Sequence, residues 1–237
     1  MISREIVSLL MSNKRLINTI GFEYEKYVGD PINTIRIFSQ FQVDELILYD
    51  IDNNHINKKD ISYIQTLTKF AEMPFTYGGG IRNAEDAEQL IHAGCDKISI
   101  NSLFFENLNE VNKIINKIGK QSVSVSINYK RVDNKLSVCS NKKNILEMTL
   151  GHALSLAAEI NVGEVVLNNV DYDGSLHYKS PYEIEEISCH YPFSLVLLGG
   201  NDFRSKGKVF KNTNAVSYAS GTSHFFHGKH RAVLIQN

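Results

Sequence analysis

The chain repeats itself with a period of half its length, and that repeat restricts the folds open to it more than any other feature. Val7-Ser8-Leu9-Leu10 recurs as Val125-Ser126-Ile127-Asn128, an offset of 118 residues. Glu45-Leu46-Ile47-Leu48 recurs as Glu164-Val165-Val166-Leu167 at 119, and Gly79-Gly80 recurs as Gly199-Gly200 at 120. A Lys-Arg-aliphatic triplet follows each copy of the first motif, as Lys14-Arg15-Leu16 and Lys130-Arg131-Val132. The acidic turn Asp50-Ile51-Asp52 is echoed by Val170-Asp171. Self-similarity at a fixed period marks a duplicated structural unit.

Short β-rich runs alternate with helical patterns throughout. Strands are expected at 6–10, 46–50, 75–77, 97–100, 122–128, 164–168, 194–198 and 215–219. Helices are expected at 31–41, 59–72, 84–93, 108–118, 149–161 and 181–190. Asp30-Pro31 and Ser180-Pro181 each place a capping side chain before a proline in the first turn. Asn83 precedes Ala84, with Glu85 and Asp86 where the helix dipole favours acids. Strands alternating with helices make a parallel sheet, open or closed. Two equal four-stranded halves close into an α/β fold of the (β/α)8 TIM-barrel type. No Pro-, Gly- or Ser-rich linker divides the chain, so 1–237 reads as one domain, with half-barrels at roughly 1–118 and 119–237.

Composition narrows the partners. The 237 residues carry 25 Lys plus Arg against 26 Asp plus Glu, so no basic footprint for nucleic acid is present. With 43% hydrophobic and 22% charged residues, the chain reads as folded. No apolar run reaches the roughly 18–20 residues of a membrane span, and the N-terminus lacks a signal-peptide layout. Cys95, Cys139 and Cys189 form no CxxC pair, which excludes a disulfide framework or zinc ribbon and suits a reducing cytosol. A soluble, cytoplasmic protein with no cofactor and no metal is expected.

In such barrels chemistry sits at the C-terminal ends of the strands. Gly79 and Gly80 follow strand 3, and Asn101 and Ser102 end strand 4. Gly199 and Gly200 follow strand 7, Gly221 and Thr222 follow strand 8, and Asp173-Gly174 follow strand 6 beside them. Backbone N–H groups and short polar side chains suit phosphate, so these residues are candidates for holding a phosphorylated ligand at both ends. Tight βα turns are the alternative role for the glycines. Arg4, Glu45, Lys97 and Glu164 begin strands 1, 2, 4 and 6 at the opposite mouth, where a salt-bridge ring would close the barrel.

The chain resembles a known family through Lys26-Tyr27-Val28-Gly29-Asp30-Pro31-Ile32-Asn33, Asp44 through Asp50, Gly78-Gly79-Gly80-Ile81, Asp96 through Asn101 and Asp171-Tyr172-Asp173-Gly174. That family is the cyclase subunit of imidazole glycerol phosphate synthase, and the resemblance covers nearly the whole chain. It implies a two-phosphate, half-barrel-duplicated (β/α)8 fold paired with a class I glutaminase subunit. The Asp30-Pro31-Ile32-Asn33 stretch and the tail Phe226 through Ile235 resemble a paralogous branch associated with amidation of surface sugars in lipopolysaccharide-type glycans. A sugar amidotransferase is then a further partner. The resemblance also makes Arg4, Glu45, Lys97 and Glu164 a ring through which ammonia enters from the glutaminase.

One departure bears on chemistry. The resembled cyclase uses an Asp at the end of strand 1 and another at the end of strand 5 as its acid–base pair. Leu10 and Asn128 stand at those catalytic positions here, and neither side chain titrates. Loss of one general acid or base costs about 10²–10⁴ in rate, so the cyclisation is not expected to run by the family mechanism. Three roles remain open: a barrel subunit supplying ammonia for sugar amidation, a cyclase-lyase of histidine biosynthesis, or a scaffold that activates a glutaminase.

Other residues carry less. His224, His227 and His230 recur every third residue, as metal ligands can, but no Cys or carboxylate cluster accompanies them and a solvated or interface tail is the expected role. Asp50, Asp52 and Asp171 lie just past strand ends and either contact substrate or cap the loops that follow. Cys95 reads as buried packing, and Lys142-Lys143 as a solvated loop.

Overall fold

In the computed structural model the residues described are 4–52, 60–140, 144–175, 191–200, 216–227 and 232–233. The chain enters β1 (Glu5–Ser12), folds back through β2 (Arg15–Ile20) and β3 (Tyr24–Gly29), and continues into α1 (Pro31–Gln40). Next come β4 (Glu45–Asp50), α2 (Ile61–Phe70), β5 (Phe75–Gly78), α3 (Ala84–His92), β6 (Lys97–Ile100), α4 (Ser102–Glu106) and α5 (Leu108–Ile118). The second half runs β7 (Val123–Val132), β8 (Lys135–Cys139), β9 (Ile145–Thr149), α6 (Leu150–Glu159), β10 (Glu164–Asn169), β11 (Ser194–Leu198) and β12 (Val216–Ser220).

Strands β1, β4, β5, β6, β7, β10, β11 and β12 pair in that order, all parallel, and β12 returns to β1 through Glu5↔Tyr218 and Ile6↔Ala219. Closure leaves the eight parallel strands no free edge and makes the (β/α)8 barrel that the repeat predicts. The helix at 181–190, with its Ser180 cap, lies outside the described residues. So do Cys189, Lys142 and Lys143.

Local chemistry sets the helix starts. Asp30 accepts the N–H of Asn33 at 2.9 Å with Pro31 at the first position, and Asn83 accepts that of Asp86 at 2.8 Å. Such caps satisfy backbone donors that the helix leaves open. Strand residues are buried on both faces, as Leu46, Ile47 and Leu48 show, because helices cover the outside and side chains fill the inside. Inside the barrel, Ile6, Ile47, Val166, Val196 and Ala219 form an apolar layer, with Tyr49 and Leu198 packed against it. Among the described residues no helix is long and apolar enough to cross a membrane.

Two hairpins depart from the sequence expectation. Strands 1 and 5 do not stop at 10 and 128; each runs on and folds back as an antiparallel extension. The turns are Asn13-Lys14, with φ of 51° and 57°, and Asp133-Asn134, with φ of 45° and 63°. Two consecutive left-handed residues give the turn whose twist matches an antiparallel pair. The basic triplets are not structural counterparts, however. Lys14 sits in its turn, whereas Lys130 pairs with Ser137 within β7, because the second hairpin turns two residues farther from the barrel.

Candidate functional site

At the C-terminal ends of the strands lies a cavity of about 560 Å³. Gly79, Gly80, Asn101 and Ser102 line one wall, and Gly199, Gly200, Gly221 and Thr222 line the other. Their strands, β5 and β6 against β11 and β12, stand opposite each other around the barrel. The two candidate phosphate clusters therefore face one another across one space.

The glycines also answer to backbone packing. Gly79 has φ +122°, and a Cβ there would strike the carbonyl oxygen of Asp50 on the neighbouring strand. Gly199 has φ +95°, and a Cβ there would strike that of Asn169. The repeat thus preserves one backbone crossing twice. Asn101 donates its Nδ2 to the carbonyl of Ser126 at 2.6 Å, and Thr222 donates its hydroxyl to Asn18 Oδ1 at 2.9 Å.

Asp173 and Gly174 line the same cavity while gripping the β2–β3 hairpin. Asp173 Oδ2 accepts the Thr19 hydroxyl at 2.9 Å and the Phe22 N–H at 3.2 Å, and its carbonyl accepts the Gly21 N–H at 3.2 Å. Phe22, at the tip, has φ +65°, uncommon for so bulky a residue, and also lines the cavity. Phe22 and Asn18 escape a reading of the sequence: Gly21, with φ 59°, marks a turn there, but no local pattern shows that the hairpin lies over the cavity.

Leu10 and Asn128 both line the cavity. Asn128 Oδ1 accepts Asn168 Nδ2 at 3.0 Å from the adjoining strand, and its own Nδ2 points to the Ser140 carbonyl at 3.4 Å. Leu10 lies beside Tyr49 in the β1–β4 register. Asp50 accepts the Tyr77 hydroxyl at 2.8 Å and the Asp52 N–H at 3.1 Å. Burial, reinforced by Asp50, holds the Tyr77 phenol far above its ordinary value, so it stays a donor. Asp52 and Asp171 perform matching tasks: Asp52 accepts the Ser12 hydroxyl and the Asn13 N–H, each at 2.8 Å, and Asp171 accepts the Arg131 N–H at 3.0 Å.

At the opposite mouth Arg4, Glu45, Lys97 and Glu164 meet. Arg4 reaches Glu45 at 2.7 Å and Glu164 at 2.6 Å, and Lys97 reaches Glu45 at 2.8 Å and Glu164 at 3.3 Å. Each cation bridges both carboxylates, so the four close a ring. Glu45 is 1% exposed and Glu164 4%, and Thr76 and Ser217 add hydrogen bonds. Burial works against the Arg4 charge, but Glu164 and Glu45 outweigh it and hold its pKa above the usual value.

Residues 6–222 match the family of histidine biosynthesis proteins. The chain belongs to that family. A Pseudomonas aeruginosa protein, provisionally named imidazole glycerol phosphate synthase subunit hisF2, is 36% identical over 241 residues, spanning 98% of this chain and 94% of its own. A Vibrio vulnificus protein provisionally named subunit hisF3 is 32% identical over 240 residues, spanning 98% and 92%. The imidazole glycerol phosphate synthase subunit HisF of a Thermotoga species is 31% identical over 198 residues, spanning 82% and 77%. The resemblance to the cyclase-like subunit read from the sequence is borne out.

Within this histidine biosynthesis family member, the remaining candidates have structural surroundings. His224 is not part of a solvated tail: its side chain is 6% exposed, with Nε2 at 3.2 Å from Glu5 and Nδ1 at 2.8 Å from Ser220 Oγ. The His227 side chain and His230 lie outside the described residues. Among the described residues no three His, Cys, Asp or Glu gather as a metal site would require. Cys95 is buried, and burial pushes its thiol up to about 12.

Proposed function

We propose that the chain is the barrel subunit of a glutamine amidotransferase system, a single cytoplasmic domain that receives ammonia from a class I glutaminase for amidation of a surface sugar. The observation that carries this reading is the pairing of a closed Arg4–Glu45–Lys97–Glu164 ring with Leu10 and Asn128 at the other mouth. A barrel that keeps an entrance and lacks an ionisable pair is suited to delivering ammonia rather than to the proton transfers of cyclisation. The glutaminase docks over the ring, and a stable complex buries well over about 1,200 Å². A sugar amidotransferase completes the system at the cavity face.

A phosphorylated ligand fits between the two glycine walls. Crystals grown in sulfate or phosphate are expected to show an anion at Gly79/Gly80/Asn101/Ser102 or at Gly200/Gly221/Thr222. Side chains filling both places would remove the small-ligand part of the reading and favour the scaffold.

The deciding experiment compares glutamine-dependent with ammonium-dependent sugar amidation, by glycan mass analysis. Glu164→Ala is expected to impair the glutamine route and spare the ammonium route. Equal loss of both would locate the damage at the cavity face, and no loss would leave the ring a structural closure. The names of the relatives favour a second reading, the cyclase-lyase of histidine biosynthesis. Growth of a cyclase-deficient strain on the unmodified gene would establish that reading. No growth is expected, with or without Asn128→Asp, because Leu10 still replaces the first acid.

A further inference from the structure

The glycine walls of the cavity stand on β5–β6 and β11–β12, and a quarter turn round the barrel β1–β4 and β7–β10 face each other between those walls. Leu10 and Tyr49 are register partners on the first pair of strands, Asn128 and Asn168 on the second, and all four line the cavity. The pairs are also repeat counterparts, Leu10 with Asn128 at an offset of 118 residues and Tyr49 with Asn168 at 119. Duplication kept the glycine walls alike in the two halves. It made the two sides between them unlike, one apolar and one amide.

The amide side presents a donor. The Ser140 carbonyl can only accept, so the Asn128 atom that faces it, at 3.4 Å, is Nδ2. Oδ1 is thereby turned to the neighbouring strand, where Asn168 Nδ2 donates to it at 3.0 Å. A contact of 3.4 Å is long for an N–H···O bond, and Nδ2 carries a second hydrogen, so Asn128 has donor capacity to spare. Asn168 is 8% exposed, and its Oδ1 has no partner among the described residues. Native networks seldom leave such an oxygen unmet, which points to a group in the cavity that completes the pair.

Charge narrows what that group is. Among the described residues no Lys, Arg or His lines the cavity, whereas Asp50, Asp52 and Asp173 do. A carboxylate on the ligand would find no countercharge there. A neutral carbonyl finds Asn128 Nδ2, and an N–H on the same group supplies Asn168 Oδ1. We propose that Asn128 and Asn168, facing Leu10 and Tyr49, form a subsite for an N-acyl amide, the acetamido group of an amino sugar, with its acyl methyl against Leu10. The sugar rests on the amidotransferase reading, and the amide rests on these four side chains. Asn128 is then a specificity residue at the position where the resembled cyclase uses an Asp.

The test is titration calorimetry on the full chain with sugar phosphates that differ in one substituent. N-acetylglucosamine 1-phosphate is expected to bind roughly tenfold more tightly than glucose 1-phosphate, the factor of one ordinary hydrogen bond and one buried methyl group. Asn128→Asp turns the donor into an acceptor and is expected to abolish that preference. Leu10→Ala is expected to lower it about threefold by uncovering the methyl group, and it reads the same quantity if Asn128→Asp does not fold. No preference in the unmodified protein, an unchanged preference in both variants, or tighter binding of glucosamine 1-phosphate or glucuronic acid 1-phosphate overturns the subsite. Crystals soaked in N-methylacetamide test the amide without the phosphate. Its oxygen is expected within hydrogen-bond distance of Asn128 Nδ2. An amide held there while no sugar phosphate binds supports the subsite and fails the phosphorylated-ligand reading. Absence of the amide from that place overturns the subsite, whatever the sugar phosphates do.

Discussion

Asp171 accepts the backbone N–H of Arg131 at 3.0 Å, so a carboxylate at the end of one barrel strand fastens the hairpin that grows from its neighbour. Asp52 does the same for Asn13 in the other half. Asp52→Ala removes acceptors for Asn13 and Ser12, and a loss of about 1–2 kcal/mol is expected. Hydrogen exchange should rise across β2 while the barrel strands keep their protection. Uniform loosening of the whole barrel would contradict the local role.

The glycine turns make a graded prediction. Gly79→Ala and Gly199→Ala meet a carbonyl of the adjoining strand at positive φ, and each is expected to cost about 2–4 kcal/mol in denaturant unfolding. Gly151 lies in α6, where an added methyl group would meet nothing within 4 Å, so Gly151→Ala is expected to stabilise by up to about 1 kcal/mol. Similar costs at all three positions would refute the backbone-crossing account.

Glu45 holds Arg4, Lys97 and Thr76 together. Glu45→Gln keeps the shape and removes the charge, leaving Glu164 to serve two cations. With Glu45 buried but Arg4 34% exposed, the expected loss is about 2–3 kcal/mol, below that of a fully buried pair. The check is calorimetry at low and high salt, where the difference from the parent should shrink only slightly for so enclosed a ring.

Cys95 supplies a pH prediction. Its folded thiol titrates near 12, above the ordinary value of 9.0, because burial penalises the thiolate first and Asp96 adds to the effect. The unfolded chain therefore releases its proton first as pH rises. This contribution to stability is complete below about 9 and is lost on the way to about 12. At neutral pH the native thiol should resist alkylation and react only after denaturation, as mass mapping of residue 95 can show.

The barrel was legible in the sequence because duplication forces eight strands into two equivalent sets, and only closure treats those sets alike. The charged ring was legible too: Glu45 and Glu164 stand directly before Leu46-Ile47-Leu48 and Val165-Val166-Leu167, where a carboxylate has no packing role. The hairpins were not. Asn13-Lys14 and Asp133-Asn134 contain no glycine; Asn and Asp tolerate the left-handed backbone and mark a turn, but they mark a strand-to-helix loop as readily as a hairpin. Tyr49 and Asn168 were hidden for another reason. Both faces of a barrel strand are buried, so alternation does not announce which residue points into the bore. Asp173 reads in the sequence as part of a ligand site, and its hold on Thr19 depends on a contact across 154 positions that no local pattern carries.

That contact gives the molecule a history. Asp52 and Asp171 each tend a hairpin of their own half, but Asp173 belongs to the second half and clasps the first. On the ribosome, at about 5–20 residues per second, the β2–β3 hairpin waits roughly 8–30 s for its clasp to be synthesised. During that interval the wall bearing Asn18, Thr19 and Phe22 lacks its anchor, and a cavity able to hold a ligand arises only after the second half is made.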